Sequence, residues 1–214
     1  MGEYDVLQVT RLHRQDFEYR AQQHAGVWRE LPQRNAGERP VGILGFGEIG
    51  RDAARKLKGL GFPVSGWTRQ PQHIVGFPTF AGTAGLPQLL AGSEILVCLL
   101  PLTGETEGIL NARTFDLLPE GAGLINAGRG AHLVEEDLIP ALDRGRLSAA
   151  ALDVFRDEPL PPAHPFWRHP RILITPHIAG ITNPLTAAPI VLDTIRRHEA
   201  GDALLHRVDP GRGY

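Results

Sequence analysis

One segment constrains this 214-residue chain more than any other. It is Gly45-Phe46-Gly47-Glu48-Ile49-Gly50, a G-x-G-x-x-G run. Glycines so spaced also arise by chance, and an ordinary glycine-rich turn is the plain alternative. The neighbours decide between the two. The run follows the apolar stretch Val41–Leu44 at once and opens a stretch with Ala53, Ala54 and Leu57 at helical spacing. Strand, glycine turn and helix in succession let a backbone approach a pyrophosphate closely, and the helix N-terminus then presents free N–H groups to that anion.

The alternation continues along the chain. Pro63–Trp67, Glu94–Leu100, Gly123–Asn126, Ala149–Asp153 and Ile172–Thr175 read as further strands. Glu48–Leu60, Leu86–Ala91, Ala112–Leu118 and Val134–Arg144 read as helices, although Pro140 should kink the last of these. Short apolar runs between turns suit strands buried on both faces. The pattern predicts an α/β fold, a Rossmann-type doubly wound parallel sheet with helices on both faces. Residues 1–30 read as a loosely amphipathic helical arm with Val6, Val9, Leu12 and Phe17 on one side, and 31–40 as a linker. Residues 184–200 read as a final helix and 201–214 as an extended tail. The expected organisation is an arm (1–30), a nucleotide-binding domain that also carries the catalytic residues (31–183), and a C-terminal helix and tail (184–214).

Composition excludes several functions. Lys+Arg of 22 against Asp+Glu of 24 gives a net charge of −2, which provides no electrostatic footprint for nucleic acid or an anionic membrane. No apolar run approaches the ~18 residues of a membrane span. The start Met1-Gly2-Glu3-Tyr4-Asp5 lacks a basic segment followed by an apolar one, so a cytoplasmic location is the default expectation. The single cysteine, Cys98, lies in the run Ile95–Leu100 and reads as a small buried hydrophobe.

A missing residue type is as informative as the glycines. Proteins that prefer NAD usually place Asp or Glu ~20 residues past the glycine loop, on the ribose hydroxyls. From Ala53 to Ser93 this chain has no acidic residue, and its second strand ends in Trp67-Thr68-Arg69. A guanidinium there can pair with a 2′-phosphate, and Thr68 can donate a hydrogen bond. Three further polar positions follow later strands, where doubly wound sheets place their ligands. Arg129 lies in Gly128-Arg129-Gly130, Asp153 and Glu158 in Asp153–Pro159, and His177 in Thr175–Gly180. Each has a plainer reading as a turn or surface residue, and Asp157 competes with Glu158. His164, His169 and His177 lack the helical spacing and cysteine partners of a metal site, so no metal is expected.

Together these motifs resemble the D-isomer-specific 2-hydroxyacid dehydrogenases, and among them the NADP-dependent glyoxylate/hydroxypyruvate reductases of the bacterial A type. The likeness runs from about Leu12 to Tyr214. It includes Trp67-Thr68-Arg69, Pro101-Leu102-Thr103, Glu158-Pro159-Leu160-Pro161 and the ending Arg212-Gly213-Tyr214. The resemblance implies reduction of a small 2-oxo acid to a 2-hydroxy acid by hydride transfer from NADP(H). It implies His177 as proton donor, Glu158 as its partner, and Arg129 as anchor of the substrate carboxylate. It also implies a cofactor cleft lined by Gly45, Phe46, Gly47, Glu48, Ile49, Gly50, Trp67, Thr68, Arg69, Leu100, Pro101, Thr106, Ala127, Gly128, Arg129, Asp153, His177 and Gly180. Asp153 would accept from the nicotinamide carboxamide. Residues 1–30 resemble the family's dimer-forming arm, so a homodimer is expected.

Only 40 residues precede the first nucleotide-binding strand, whereas the family begins with a longer substrate-domain segment. The cofactor side of the cleft is expected here with most of its opposing wall absent, so the chain alone should bind cofactor and turn over poorly. The alternatives are a non-catalytic NADP-binding or dimerisation module and a cofactor-sensing regulatory protein. Retention of Arg129, Glu158 and His177 favours the reductase.

Overall fold

The computed structural model describes residues 1–205. The end of the expected tail, including Arg212-Gly213-Tyr214, lies outside the described residues. Seven strands form one sheet: β1 (Val41–Leu44), β2 (Val64–Thr68), β3 (Thr79–Ala81), β4 (Ile95–Cys98), β5 (Ala122–Asn126), β6 (Leu147–Leu152) and β7 (Ile172–Ile174). Their order is β3-β2-β1-β4-β5-β6-β7, and every pairing is parallel. The chain steps outward from β1 to β3, then returns to β4 on the other side of β1. That reversal opens a crevice beyond the carboxyl ends of β1 and β4, the usual ligand position in such sheets.

Alternation along the strands builds the two faces. Leu44, Leu96, Cys98 and Leu124 fill one core with Leu89 and Leu90 of α4 (Gly82–Ala91), Phe115 of α5 (Ala112–Leu117), and Leu138 and Leu142 of α6 (Glu135–Asp143). Val41, Ile43, Val97 and Ile125 fill the other, against Val9 and Leu12 of α1 (Gly2–His13) and Ala53, Ala54 and Leu57 of α3 (Glu48–Gly59). Helix α6 runs through Pro140. The missing N–H removes a single i→i−4 bond, and burial of Leu138, Ala141 and Leu142 holds the helix. Burial pushes the Cys98 thiol up to about 12, which makes it an unreactive part of the core.

The N-terminal region departs from a single arm. It is two helices, α1 and α2 (Asp16–His24), joined through Gln15 in the left-handed region at φ 58°. Helix α1 is a layer of the sandwich, and its buried side includes Asp5, Gln8 and His13 beside Val9 and Leu12. Half of that face is polar, which is why the apolar stripe looks loose in sequence. Helix α2 buries no residue.

The described chain divides into Met1–Ala179 and a second unit from Gly180 onward. The second unit contains α7 (Pro184–Ala200), capped by the Asn183 side chain, which accepts from the Leu185 N–H at 2.9 Å. Among the described residues no helix is long and apolar enough to cross a membrane.

Candidate active site

The glycine loop leaves β1 with Gly45 at φ 95°. A Cβ on Gly45 would stand 2.7 Å from the Leu99 carbonyl oxygen, and one on Gly50 would strike the Gly45 carbonyl. A Cβ on Gly47 would meet nothing within 4 Å. Two glycines therefore close the turn against β4 and its own helix, and the middle one faces open space at the N-terminus of α3. That is a cradle shaped for an anion, and it fits a dinucleotide pyrophosphate. Arg51, which the sequence does not single out, braces the loop: its Nε donates to the Phe46 carbonyl at 3.1 Å. A second guanidinium nitrogen reaches Gln72 Oε1 at 2.9 Å.

Several residues expected to line the cofactor cleft turn inward. The Phe46 ring is 1% exposed and packs edge-on against Phe77, so Phe46 offers only its backbone. Trp67 is buried and its indole N–H donates to the Gly82 carbonyl at 2.9 Å, tying β2 to the start of α4. The Thr68 hydroxyl donates to the Gln70 carbonyl at 2.7 Å. That contact holds the turn after β2. Arg69 stands next to it at the exposed end of the strand. Leu100 and Ala127 are buried. Thr106 is buried too, and its hydroxyl donates to the Pro101 carbonyl at 2.8 Å and fixes the turn after β4. Glu48 and Ile49 are exposed at the head of α3. Gly180 begins the second unit.

The structure brings together residues far apart in sequence at the carboxyl ends of β5, β6 and β7. His177 Nδ1 lies 2.7 Å from Glu158 Oε2. A carboxylate only accepts, so Nδ1 carries the hydrogen and Nε2 is the nitrogen left for chemistry. The other Glu158 oxygen accepts the Phe155 N–H at 2.9 Å. Burial works to raise the Glu158 carboxyl. The His177 hydrogen bond, the Phe155 N–H and the charges of His177 and Arg129 outweigh it and hold the group below its ordinary range. Arg129 is exposed and caps the short 3-10 turn Gly130–His132. Gly130 is required there, because a Cβ would overlap the Phe155 carbonyl. The turn carrying Arg129 is thus pressed against the loop carrying Glu158.

His177 itself is in the left-handed region at φ 55°, which costs a residue with a Cβ on the order of 1 kcal/mol or more. Asp153 holds it there. The His177 N–H donates to the Asp153 carbonyl at 2.8 Å. Asp153 Oδ1 accepts from the Thr175 hydroxyl at 2.6 Å and the Ile178 N–H at 2.9 Å, and Oδ2 accepts from the Ala179 N–H at 2.8 Å. Tyr4 on α1 completes the chain with its hydroxyl 2.8 Å from Thr175 Oγ1. Asp153 is 1% exposed, so its first task is to fasten the histidine turn. Neither Tyr4 nor Thr175 signals this role in the sequence, because their partners lie on other elements.

Comparison with known proteins agrees with this geometry. Residues 6–179 match the family model "D-isomer specific 2-hydroxyacid dehydrogenase, NAD binding domain". A glyoxylate/hydroxypyruvate reductase A from Serratia proteamaculans is 48% identical over the whole chain, which spans 68% of that relative. A D-isomer specific 2-hydroxyacid dehydrogenase from Xanthobacter autotrophicus, solved with NADPH and MES, superposes with a TM-score of 0.96 at 45% identity, covering 100% of this chain and 88% of that one. An NADPH-dependent glyoxylate/hydroxypyruvate reductase from Sinorhizobium meliloti, solved with NADP and sulfate, gives a TM-score of 0.95 at 42% identity, with 100% and 69% covered. The chain belongs to the D-isomer specific 2-hydroxyacid dehydrogenases, a family of oxidoreductases whose nucleotide-binding domain it carries.

Proposed function

We propose that this chain serves an NADPH-dependent reductase of small 2-oxo acids such as glyoxylate and hydroxypyruvate, and supplies its cofactor domain and catalytic residues. The observation that carries the reading is the His177–Glu158 pair at 2.7 Å, beside Arg129 and, like the glycine cradle, at the carboxyl end of the parallel strands. Gly45, Gly47, Gly50 and the first turn of α3 would hold the pyrophosphate, Arg69 the 2′-phosphate, and Pro101, Ala127 and Asp153 the nicotinamide end. Bound there, the cofactor supplies the hydride that reduces the substrate carbonyl carbon. His177 delivers a proton from Nε2 to the carbonyl oxygen, while Glu158 fixes the orientation of the ring. Arg129 donates to the Gly128 carbonyl at 2.7 Å through one nitrogen, and its remaining donors hold the substrate carboxylate and polarise the carbonyl.

NADPH binds more tightly than NADH on this reading. Arg69 meets the 2′-phosphate, and no carboxylate between Ala53 and Ser93 opposes it. One charge-assisted contact is worth ~1.5–3 kcal/mol, so the preference is on the order of ten- to a hundredfold. Arg69→Ala weakens NADPH by that factor and leaves NADH nearly unchanged. Fluorescence titration of both cofactors at fixed salt checks this, and equal affinities sink it. Oxidation of NADPH on addition of glyoxylate or hydroxypyruvate tests the substrate class.

The same reading includes a homodimer formed through the outer face of the N-terminal region. Helix α2 has no buried residue, Trp28 is 99% exposed, and Tyr19, Val27 and Trp28 line a groove of about 540 Å³. An apolar surface of this kind marks a partner site, and a two-fold dimer is the commonest solution. Sedimentation velocity at micromolar concentration should give twice the 23.4 kDa chain mass, and Trp28→Glu should give the monomer. A parent chain that sediments as monomer refutes the dimer.

A further inference from the structure

His132 has no part in the chemistry just described, yet it is completely buried beside it at 0% exposure. Its ring makes a contact at each nitrogen. Nδ1 is 3.0 Å from the Arg129 backbone nitrogen, and Nε2 is 3.3 Å from the Pro101 carbonyl oxygen. A backbone N–H can only donate and a carbonyl can only accept, so both partners demand the neutral ring with its hydrogen on Nε2. The ring therefore spans two loops. One follows β5 and presents Arg129. The other follows β4 and forms a wall of the cofactor crevice. The fit is close, since a Cβ on Gly128 would stand 2.9 Å from His132 Nδ1 and 3.1 Å from the Leu100 carbonyl oxygen. Thr106 anchors the same Pro101 carbonyl from its other side at 2.8 Å.

We propose that His132 is a positioning residue of the reductase: as a neutral double-ended strut it sets the spacing between the Arg129 anchor and the Pro101 wall. The inference rests on the reading of Arg129 as the substrate anchor and Pro101 as a cofactor wall. Burial first, and then the neighbouring Arg129 charge, lower the His132 imidazole below its ordinary range, against the Pro101 carbonyl, which works the other way, and the Arg129 N–H needs Nδ1 without a proton. The ring thus keeps the neutral form that both contacts need. A purely apolar filler would satisfy the space and leave the Arg129 N–H and the Pro101 carbonyl one partner short.

Two variants separate the ends of the strut. An asparagine carries an acceptor near the Nδ1 position and cannot reach Pro101. A glutamine carries a donor near the Nε2 position and places no acceptor near the Nδ1 position. In His132→Asn the Arg129 amide keeps its hydrogen-exchange protection while NADPH affinity falls about tenfold. In His132→Gln the Arg129 amide exchanges about tenfold faster and KM for the 2-oxo acid rises by a similar factor, with NADPH affinity close to that of the parent. In the unmodified chain, nitrogen NMR should find His132 as the Nε2–H tautomer at neutral pH, a readout that needs no variant to fold. The opposite tautomer, or Asn and Gln variants that shift every quantity in parallel, overturns the strut. If the parent chain binds no NADPH, the functional reading fails, while the tautomer and the Arg129 exchange rates still decide whether the strut exists.

Discussion

Where the cleft has both of its walls, His177→Gln lowers turnover of a 2-oxo acid by ~10²–10⁴, the usual worth of a positioned acid, and leaves NADPH affinity near the parent value. Glutamine can occupy the space beside Glu158 but cannot release a proton to the carbonyl oxygen. The cradle at Gly45–Gly50 and Arg69 lie on β1 and β2, across the sheet from β7, and the substitution leaves them intact. A second readout does not depend on activity. In the parent chain Glu158 is held below its ordinary range by His177, the Phe155 N–H and Arg129. Without the imidazole, the Glu158 carboxyl rises toward the ordinary range, which a carbon NMR titration detects. A variant that keeps turnover within tenfold of the parent removes His177 from the mechanism. A carboxyl that does not move shows that the 2.7 Å pair has no energetic weight.

Asp5→Asn flattens the dependence of stability on pH. Asp5 is buried at 0% exposure on α1, and neither carboxylate oxygen has a hydrogen-bond partner among the described residues. Burial raises its carboxyl to about 7, opposed by the N-terminal amine and Lys56 and assisted by Asp52 and Asp153. An unfolded aspartate titrates near ~3.9. Because the folded value is the higher one, this stabilising contribution is complete below about pH 4. It is lost as pH rises toward 7, and amounts to on the order of 4 kcal/mol. The asparagine variant lacks that slope, so it gains on the parent steadily from pH 4 to 7 and holds its advantage above. Denaturant midpoints of the two proteins across that range measure the difference. Parallel curves would mean that Asp5 reaches water or a partner in solution.

Much of this molecule is written in local sequence. Val41–Leu44, the glycine loop and the helix after it carry their own instructions, because turn, strand and helix N-terminus are decided by neighbouring residues. The expected strands fall where the sheet has them, except β3 (Thr79–Ala81), which is too short to show a period. The missing acid between Ala53 and Ser93 is likewise legible, since it needs no partner to be read. The His177–Glu158 pair is legible only through the family resemblance, whose spacing to Pro159 selects Glu158 over Asp157.

What sequence could not decide is where polar side chains find their partners. Thr68 turns in to Gln70, and Trp67 reaches Gly82. Asp153 collects donors from Thr175, Ile178 and Ala179, and His132 joins Arg129 to Pro101. Most of these links cross from one strand end to another. The packing of α1 against the sheet belongs in the same class. Its face pairs Val9 and Leu12 with Asp5, Gln8 and His13, and a helical period alone does not say which side is buried when both sides are polar. The sequence by itself determined six of the seven strands, the glycine cradle and the cationic end of β2, because short-range sterics and charge govern them. The fold alone decided which buried donor meets which acceptor, because a hydrogen bond needs both atoms within about 3 Å, and only the parallel sheet brings the strand ends that close.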